Sequence, residues 1–227
     1  TRRSFLKRTA TAAGVMLSAP MLIPGSAIGA DGATPPSECV TMGMIGTGRQ
    51  CYQKNIPLFQ RRPDVRIIAT CDVDSWRLAQ AKKLIDDYNA KKNPTLAGCD
   101  TTVEYTDILG RDDIDAVMIS TPDHWHAKMA LEAMAAGKHV ALEKPIIRTI
   151  ADGQRLVEAS KKNNVVFRVD SEFRSGIYAR RAYSIVQSGK LGKITKVLAC
   201  VPQSDIPCPP QPDMPVPPEL DYKRWLG

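Results

Sequence analysis

No two of the six cysteines, at 39, 51, 71, 99, 200 and 208, stand in a Cys-x-x-Cys spacing. The chain therefore carries no sign of a zinc ribbon or a dithiol redox centre. Histidine is scarcer still, with three in 227 residues. Two of them, His124 and His126, are two positions apart and do not share a helix face, which argues against a metal pair. Charge of one sign is also in short supply outside one segment. Four of the 31 basic residues, Arg2, Arg3, Lys7 and Arg8, fall in the first thirty positions, which hold no acid. The other 27 face 24 Asp and Glu, too even a mixture for a nucleic-acid surface. The longest apolar stretch, from Thr9 to Ile28, is broken by Pro20 and Pro24 and so argues against a membrane-spanning helix.

What that first segment does contain is an address. Thr1-Arg2-Arg3-Ser4-Phe5-Leu6-Lys7, a moderately apolar stretch and small residues ending at Ala30 make a secretory signal. The paired arginines followed by Ser-Phe-Leu-Lys resemble the bacterial twin-arginine class. Residues 1–30 are therefore expected to be a signal peptide cleaved near Ala30, with the mature protein periplasmic or otherwise exported. Proteins using that route cross the membrane already folded. In an oxidising compartment Cys200 and Cys208 are candidates for pairing, whereas Cys51 and Cys71 fall inside apolar elements and read as small core residues.

From Cys39 onward short apolar runs alternate with longer periodic ones. Strands are expected at Val40–Ile45, Val65–Cys71, Ile114–Ser120, His139–Glu143 and Val165–Val169. Helices are expected at Gln50–Gln60, from Asp74 or Ser75 to about Tyr88, at Pro122–Ala136 and at Ile150–Lys162. Strands apolar on both faces, separated by helices, specify an α/β fold: a doubly wound parallel sheet of the Rossmann type over residues 38–170. Residues 171–227 read as the start of a second α/β domain. They offer a helix at Tyr178–Gln187, a strand at Ile194–Val201 and a Pro-rich loop over 202–218.

Four clusters carry chemistry. The first strand runs into Gly46-Thr47-Gly48-Arg49-Gln50-Cys51. In a dinucleotide turn the first glycine allows the bend and the second lets a pyrophosphate approach the backbone at a helix N-terminus. Cys51 stands where a third glycine is usual. The second strand ends at Asp72, whose carboxylate can accept ribose hydroxyls and repel a 2′-phosphate, pointing to NAD over NADP; a cap or turn role is the alternative. The third strand ends in Ser120-Thr121-Pro122-Asp123-His124-Trp125-His126, where His124 reads as a surface or packed residue. The fourth strand ends in Glu143-Lys144-Pro145. Proline keeps Lys144 out of helical geometry, and a lysine there can orient a hydroxyl and help accept its proton.

Together, Thr121-Pro122-Asp123-His124-Trp125-His126-Ala127, Ala136-Gly137-Lys138-His139-Val140 and Glu143-Lys144-Pro145 resemble the Gfo/Idh/MocA oxidoreductases. The resemblance implies NAD held by Gly46, Thr47, Gly48, Arg49 and Asp72. It also implies that Thr121, Pro122, His126 and Glu143 line the cofactor, that Lys144 is catalytic or substrate-orienting, and that Arg174 lies near substrate or cofactor. The family's usual Gly-Thr-Gln-Gln-Arg-Ser stretch reads Asp170-Ser171-Glu172-Phe173-Arg174-Ser175 here, matching at Arg174 and Ser175. The implied activity is hydride transfer at a secondary alcohol of a sugar, polyol or derivative. One rival is an NAD-dependent glycoside-cleaving enzyme using transient oxidation, and another a non-catalytic nucleotide-binding fragment. The family's second domain extends further, so this chain alone is expected to be inactive. The expected partners are a sugar-like small molecule and the twin-arginine export machinery, with homo-oligomers compatible and nucleic acid and stable membrane insertion not expected.

Overall fold

The computed structural model describes residues 34–92, 98–171, 173–200 and 209–227. The chain forms two compact units, 1–39 and 40–227. Within the first, one short 3-10 turn, Pro36–Glu38, is described. The expected signal at 1–30 and the Cys208 partner of the expected cysteine pair lie outside the described residues.

The second unit is built on six strands: β1 (Val40–Ile45), β2 (Val65–Cys71), β3 (Asp100–Thr102), β4 (Ala116–Ile119), β5 (His139–Glu143) and β6 (Phe167–Asp170). They lie in the order 3-2-1-4-5-6, and every neighbouring pair runs parallel. That is the Rossmann arrangement, in which the strand order reverses between β1 and β4. All four residues of β4 and the last four of β1 are buried, because both faces of a parallel sheet are covered by its crossover helices.

Those helices form two layers. A π-helical turn, Cys51–Asn55, leads into α1 (Ile56–Gln60), and α2 spans Ser75–Lys92. Ile56, Ala81 and Ile85 from this layer pack on Met42, Met44 and Met118. On the opposite face lie α3 (Tyr105–Leu109), α4 (Asp123–Ala135) and α5 (Ile150–Asn163). Ile108, Met129, Ala130, Met134 and Leu156 there cover Ile45, Val117, Ile119 and Leu142. Local chemistry sets several ends. Pro57 has no N–H to donate, and the widened turn precedes it, with the Ile56 N–H bonded to the Cys51 carbonyl. The Asp74 carboxylate accepts the Arg77 N–H at 2.9 Å, capping α2. Thr149 accepts the Asp152 N–H at the start of α5.

Four features differ from expectation. β3 is a polar Asp-Thr-Thr edge strand with too few residues to show a period. α3 spans only five residues, again less than two turns. The expected strand at Ile194–Val201 is not formed: residues 194–200 carry no regular structure, since β-branched residues make a strand only where a neighbour accepts their backbone bonds. Finally, a short helix α7 (Tyr222–Leu226) follows the Pro-rich region, while α6 (Ile177–Gln187) forms as expected but with no buried residue. No helix among the described residues is long and apolar enough to cross a membrane.

Candidate functional site

The carboxyl ends of β1, β2 and β4 converge on one cleft of about 1320 Å³. Backbone bonds tie the three ends together: Gly46 N–H donates to Cys71 O at 2.8 Å, and Ser120 N–H to Ile45 O at 2.8 Å. Ligands of open α/β sheets bind at this position, outside the strand ends at the switch point.

The turn after β1 is shaped by its glycines. Gly46 has φ +81, and a Cβ there would lie 2.8 Å from the Ser120 and Thr121 backbone, so no side chain fits. At Gly48 a Cβ would meet nothing within 4 Å; its face is open to the cleft. Helical structure begins at Arg49, and the amides of a first turn lack intrahelical partners. An open glycine face beside first-turn amides is the cradle a pyrophosphate requires. The third position of the motif is filled by Cys51, which is wholly buried. Burial pushes its thiol up to about 12, against the pull of a hydrogen bond with Ser120, so it is a neutral packing residue.

Asp72 lines the same cleft. One of its oxygens accepts the Thr47 amide and hydroxyl at 2.6 and 2.9 Å; the other accepts the Asp74 N–H at 2.9 Å. A carboxylate offers about four acceptor positions, so three donors leave capacity for a ribose hydroxyl. Thr47 is itself buried and serves this brace. Arg49, Thr121 and Pro122 also border the cleft. The Thr121 hydroxyl is buried and finds no hydrogen-bond partner among the described residues.

The other expected residues lie off this wall. His126 is 1% exposed. Its Nδ1 sits 2.6 Å from Pro145 O and its Nε2 2.8 Å from Thr121 O. Carbonyls only accept and a neutral imidazole carries one N–H, so the ring donates to one of the two and packs against the other, holding the turn after β5 beside the end of β4. Glu143 is buried and accepts the side-chain amides of Gln50 at 3.2 Å and Asn55 at 3.0 Å; Asn55 also donates to Ser120 Oγ at 3.0 Å. Lys144 follows, exposed, in a cis peptide with Pro145. Beside Glu143 in the sheet is Asp170, whose carboxyl burial pushes up while its Arg168 partner pulls it down. Thus the β5 end is a buried acidic and amide network presenting one exposed ammonium. Arg174 is exposed in the turn after β6, away from the cleft wall.

One part of the site was not foreseen. Residues 217–227 form an outer wall of the cleft, with Leu220, Arg224 and Trp225 among the lining residues. His124, read from sequence as a surface or packed residue, places Nε2 2.9 Å from Trp225 O.

A family profile described as an oxidoreductase family with an NAD-binding Rossmann fold, Gfo/Idh/MocA, matches residues 40–171. Among curated proteins, a glycosyl hydrolase family 109 protein of Shewanella sp. (strain ANA-3) is 37% identical over 172 residues, covering 70% of this chain. The match takes in 37% of that relative's length, so the chain spans little more than a third of it. Another family 109 protein, from Shewanella baltica (strain OS155 / ATCC BAA-1091), is 31% identical over 160 residues, covering 70% of this chain and 34% of its own. Among solved structures, the myo-inositol 2-dehydrogenase of Lactobacillus plantarum superposes with a TM-score of 0.60 and 27% identity, over 69% of this chain and 43% of that one. A 3-ketoreductase from Actinomadura kijaniata, solved with NADP, shares the fold at 22% identity and a TM-score of 0.59, covering 68% of this chain and 46% of its own.

Proposed function

Because the chain belongs to the Gfo/Idh/MocA oxidoreductase family, we propose that it forms the cofactor-binding half of an NAD-dependent enzyme that oxidises or reduces a secondary alcohol of a sugar or polyol. The observation that carries this reading is the joined end of β1, β2 and β4. There an open-faced Gly48 and the braced Asp72 carboxylate meet one cleft. NAD, when bound, supplies a hydride acceptor or donor.

The chain's own residues divide the remaining work. The Gly46–Gly48 turn and the first-turn amides receive the pyrophosphate. Asp72 accepts the adenosine ribose diol and disfavours a 2′-phosphate. Lys144 holds its ammonium at the next strand end, where it orients the substrate hydroxyl and takes part in moving its proton. His126, through Pro145 O and Thr121 O, fixes the lysine turn against the cleft wall. Glu143 and Asn55 buttress it from below. A second domain beginning near residue 171 supplies the rest of the substrate wall in our reading, which accords with the greater length of the relatives.

The names of those relatives favour a second reading, in which oxidation is transient and a glycosidic bond is cleaved without net change in the nicotinamide. The protein with its complete second domain, supplied with NAD and a panel of free sugars, polyols and aryl glycosides, separates the two. Accumulating reduced nicotinamide with a free sugar or polyol establishes the dehydrogenase. Aglycone release without that accumulation establishes the lyase-like cleavage, and neither product removes both readings. We further assign the protein to twin-arginine export on its Arg2-Arg3-Ser4-Phe5-Leu6-Lys7 start.

A further inference from the structure

Residues 217–227 cross the mouth of the cleft without belonging to the sheet. Their hold begins beside β2, where Ser75 N–H donates to Glu219 O at 2.9 Å and Asp221 N–H to Val73 O at 3.0 Å. Midway, Arg224 pairs with Glu104 at 2.6 Å, next to the edge strand β3. At the far end the Trp225 carbonyl accepts both His124 Nε2, at 2.9 Å, and Trp125 Nε1, at 3.0 Å. The Trp225 ring stacks on Tyr222 with centroids 5.8 Å apart and meets His124 edge-on at 5.6 Å. Gly227, at φ +89, lies so close to the Trp125 ring that a Cβ would come within 2.9 Å of it. Backbone bonds, a paired charge and a glycine-tight ring contact thus seat the segment at several separate points.

We propose that this segment is a strap that closes the adenosine half of the dinucleotide into the cleft and governs its release. The inference rests on the NAD-binding reading above and adds residues to it. The half is identified by position: the strap is anchored on Val73 and Ser75, directly after Asp72, and on Glu104. These lie on the β2–β3 side of the switch point; the far anchor, His124 and Trp125, follows β4 at the switch point itself, and none of the anchors reaches β5, which Lys144 follows. A nucleotide seated in the glycine turn therefore leaves only when the strap lifts. Such retention suits chemistry in which the nicotinamide is oxidised and reduced in place, away from a pool of free nucleotide.

The test is the rate at which bound NADH leaves when excess NAD is added, followed by the loss of NADH fluorescence. Trp225→Ala should speed release about tenfold, the order produced by removing one aromatic surface from a nucleotide site. His124→Ala, which removes one donor to the Trp225 carbonyl, should move it the same way by less, and Trp225→Phe should stay near the wild-type rate. Calorimetric titration with AMP, which carries only the adenosine half, should show Trp225→Ala weakening it by a similar factor. Thermal unfolding curves that match wild type show the variants to be folded, and His124→Ala keeps the test open if Trp225→Ala is not. Wild-type release rates in both Ala variants overturn the strap. Faster NADH release with unchanged AMP affinity overturns its adenosine placement. Failure of the wild-type protein to bind NADH at all strikes instead at the reading of the cleft itself.

Discussion

Asp72 and Thr47, 25 positions apart, are joined twice: one carboxylate oxygen accepts both the backbone amide and the hydroxyl of the threonine. The residue assigned to the ribose is therefore also the one that holds the glycine turn in shape. Asp72→Ser should lower NAD affinity by about 10- to 100-fold, the scale of one charged hydrogen-bonding group lost. NADP affinity should fall by less, because the repulsion of its 2′-phosphate goes with the carboxylate. Calorimetry with both nucleotides checks this, and NADP binding as tight as NAD in the unmutated protein contradicts the assignment.

For Lys144, binding and chemistry should separate. Its ammonium is exposed and has no hydrogen bond or ion pair among the described residues, while the Gly46–Gly48 turn proposed to receive the pyrophosphate follows β1, two strands away from β5. In the protein with its complete second domain, Lys144→Ala should cut turnover by about 10²–10⁴-fold, as removal of a general acid–base group does. NAD affinity should change little. Near-normal turnover would return Lys144 to the ranks of solvated strand-end residues.

Three thiols confer a pH dependence. Burial pushes Cys51, Cys71 and Cys99 each up to about 12 from an ordinary 9.0. The folded state thus keeps them protonated where the unfolded chain ionises them. Their contribution to stability is complete below 9.0 and is lost as pH climbs from there toward 12, at a slope of up to about 1.4 kcal/mol per pH unit for each thiol. Urea unfolding midpoints should fall across that range, and Cys51→Ala should make the fall shallower. Identical slopes for the two proteins would show that Cys51 ionises freely in the fold.

Five of the six strands could be read from the chain because each falls in a largely apolar run set off by turns or helices. β2 and β5 match expectation residue for residue. The glycine turn and Asp72 could be read for the same reason, being placed by strand ends. Asp100–Thr102 could not: an edge strand covered on few sides needs no apolar residues. His126 was expected to line the cofactor, but its spacing does not reveal that the ring is buried off the cleft wall with both nitrogens facing backbone carbonyls. The wall made by residues 217–227 was hidden because nothing local to Trp225 encodes contact with a helix start 100 positions earlier.

Export should depend on the first two arginines. Replacing Arg2 and Arg3 together by Lys should leave the precursor uncleaved in the cytoplasm, visible by fractionation and immunoblot. Unchanged appearance outside the cytoplasm would assign the protein to another route.

The centre of the sheet pairs Met42 with Ala116, 74 positions further along. At elongation rates of about 5–20 residues per second, some ~4–15 s separate the synthesis of these two partners. During that interval β1, whose last four residues are buried in the final structure, lacks its β4 neighbour. The first thirty residues have by then already left the ribosome. On our proposal that residues 1–30 are an address for folded cargo, recognition of that address must wait seconds after its synthesis, until Ala116 is made and the sheet can close.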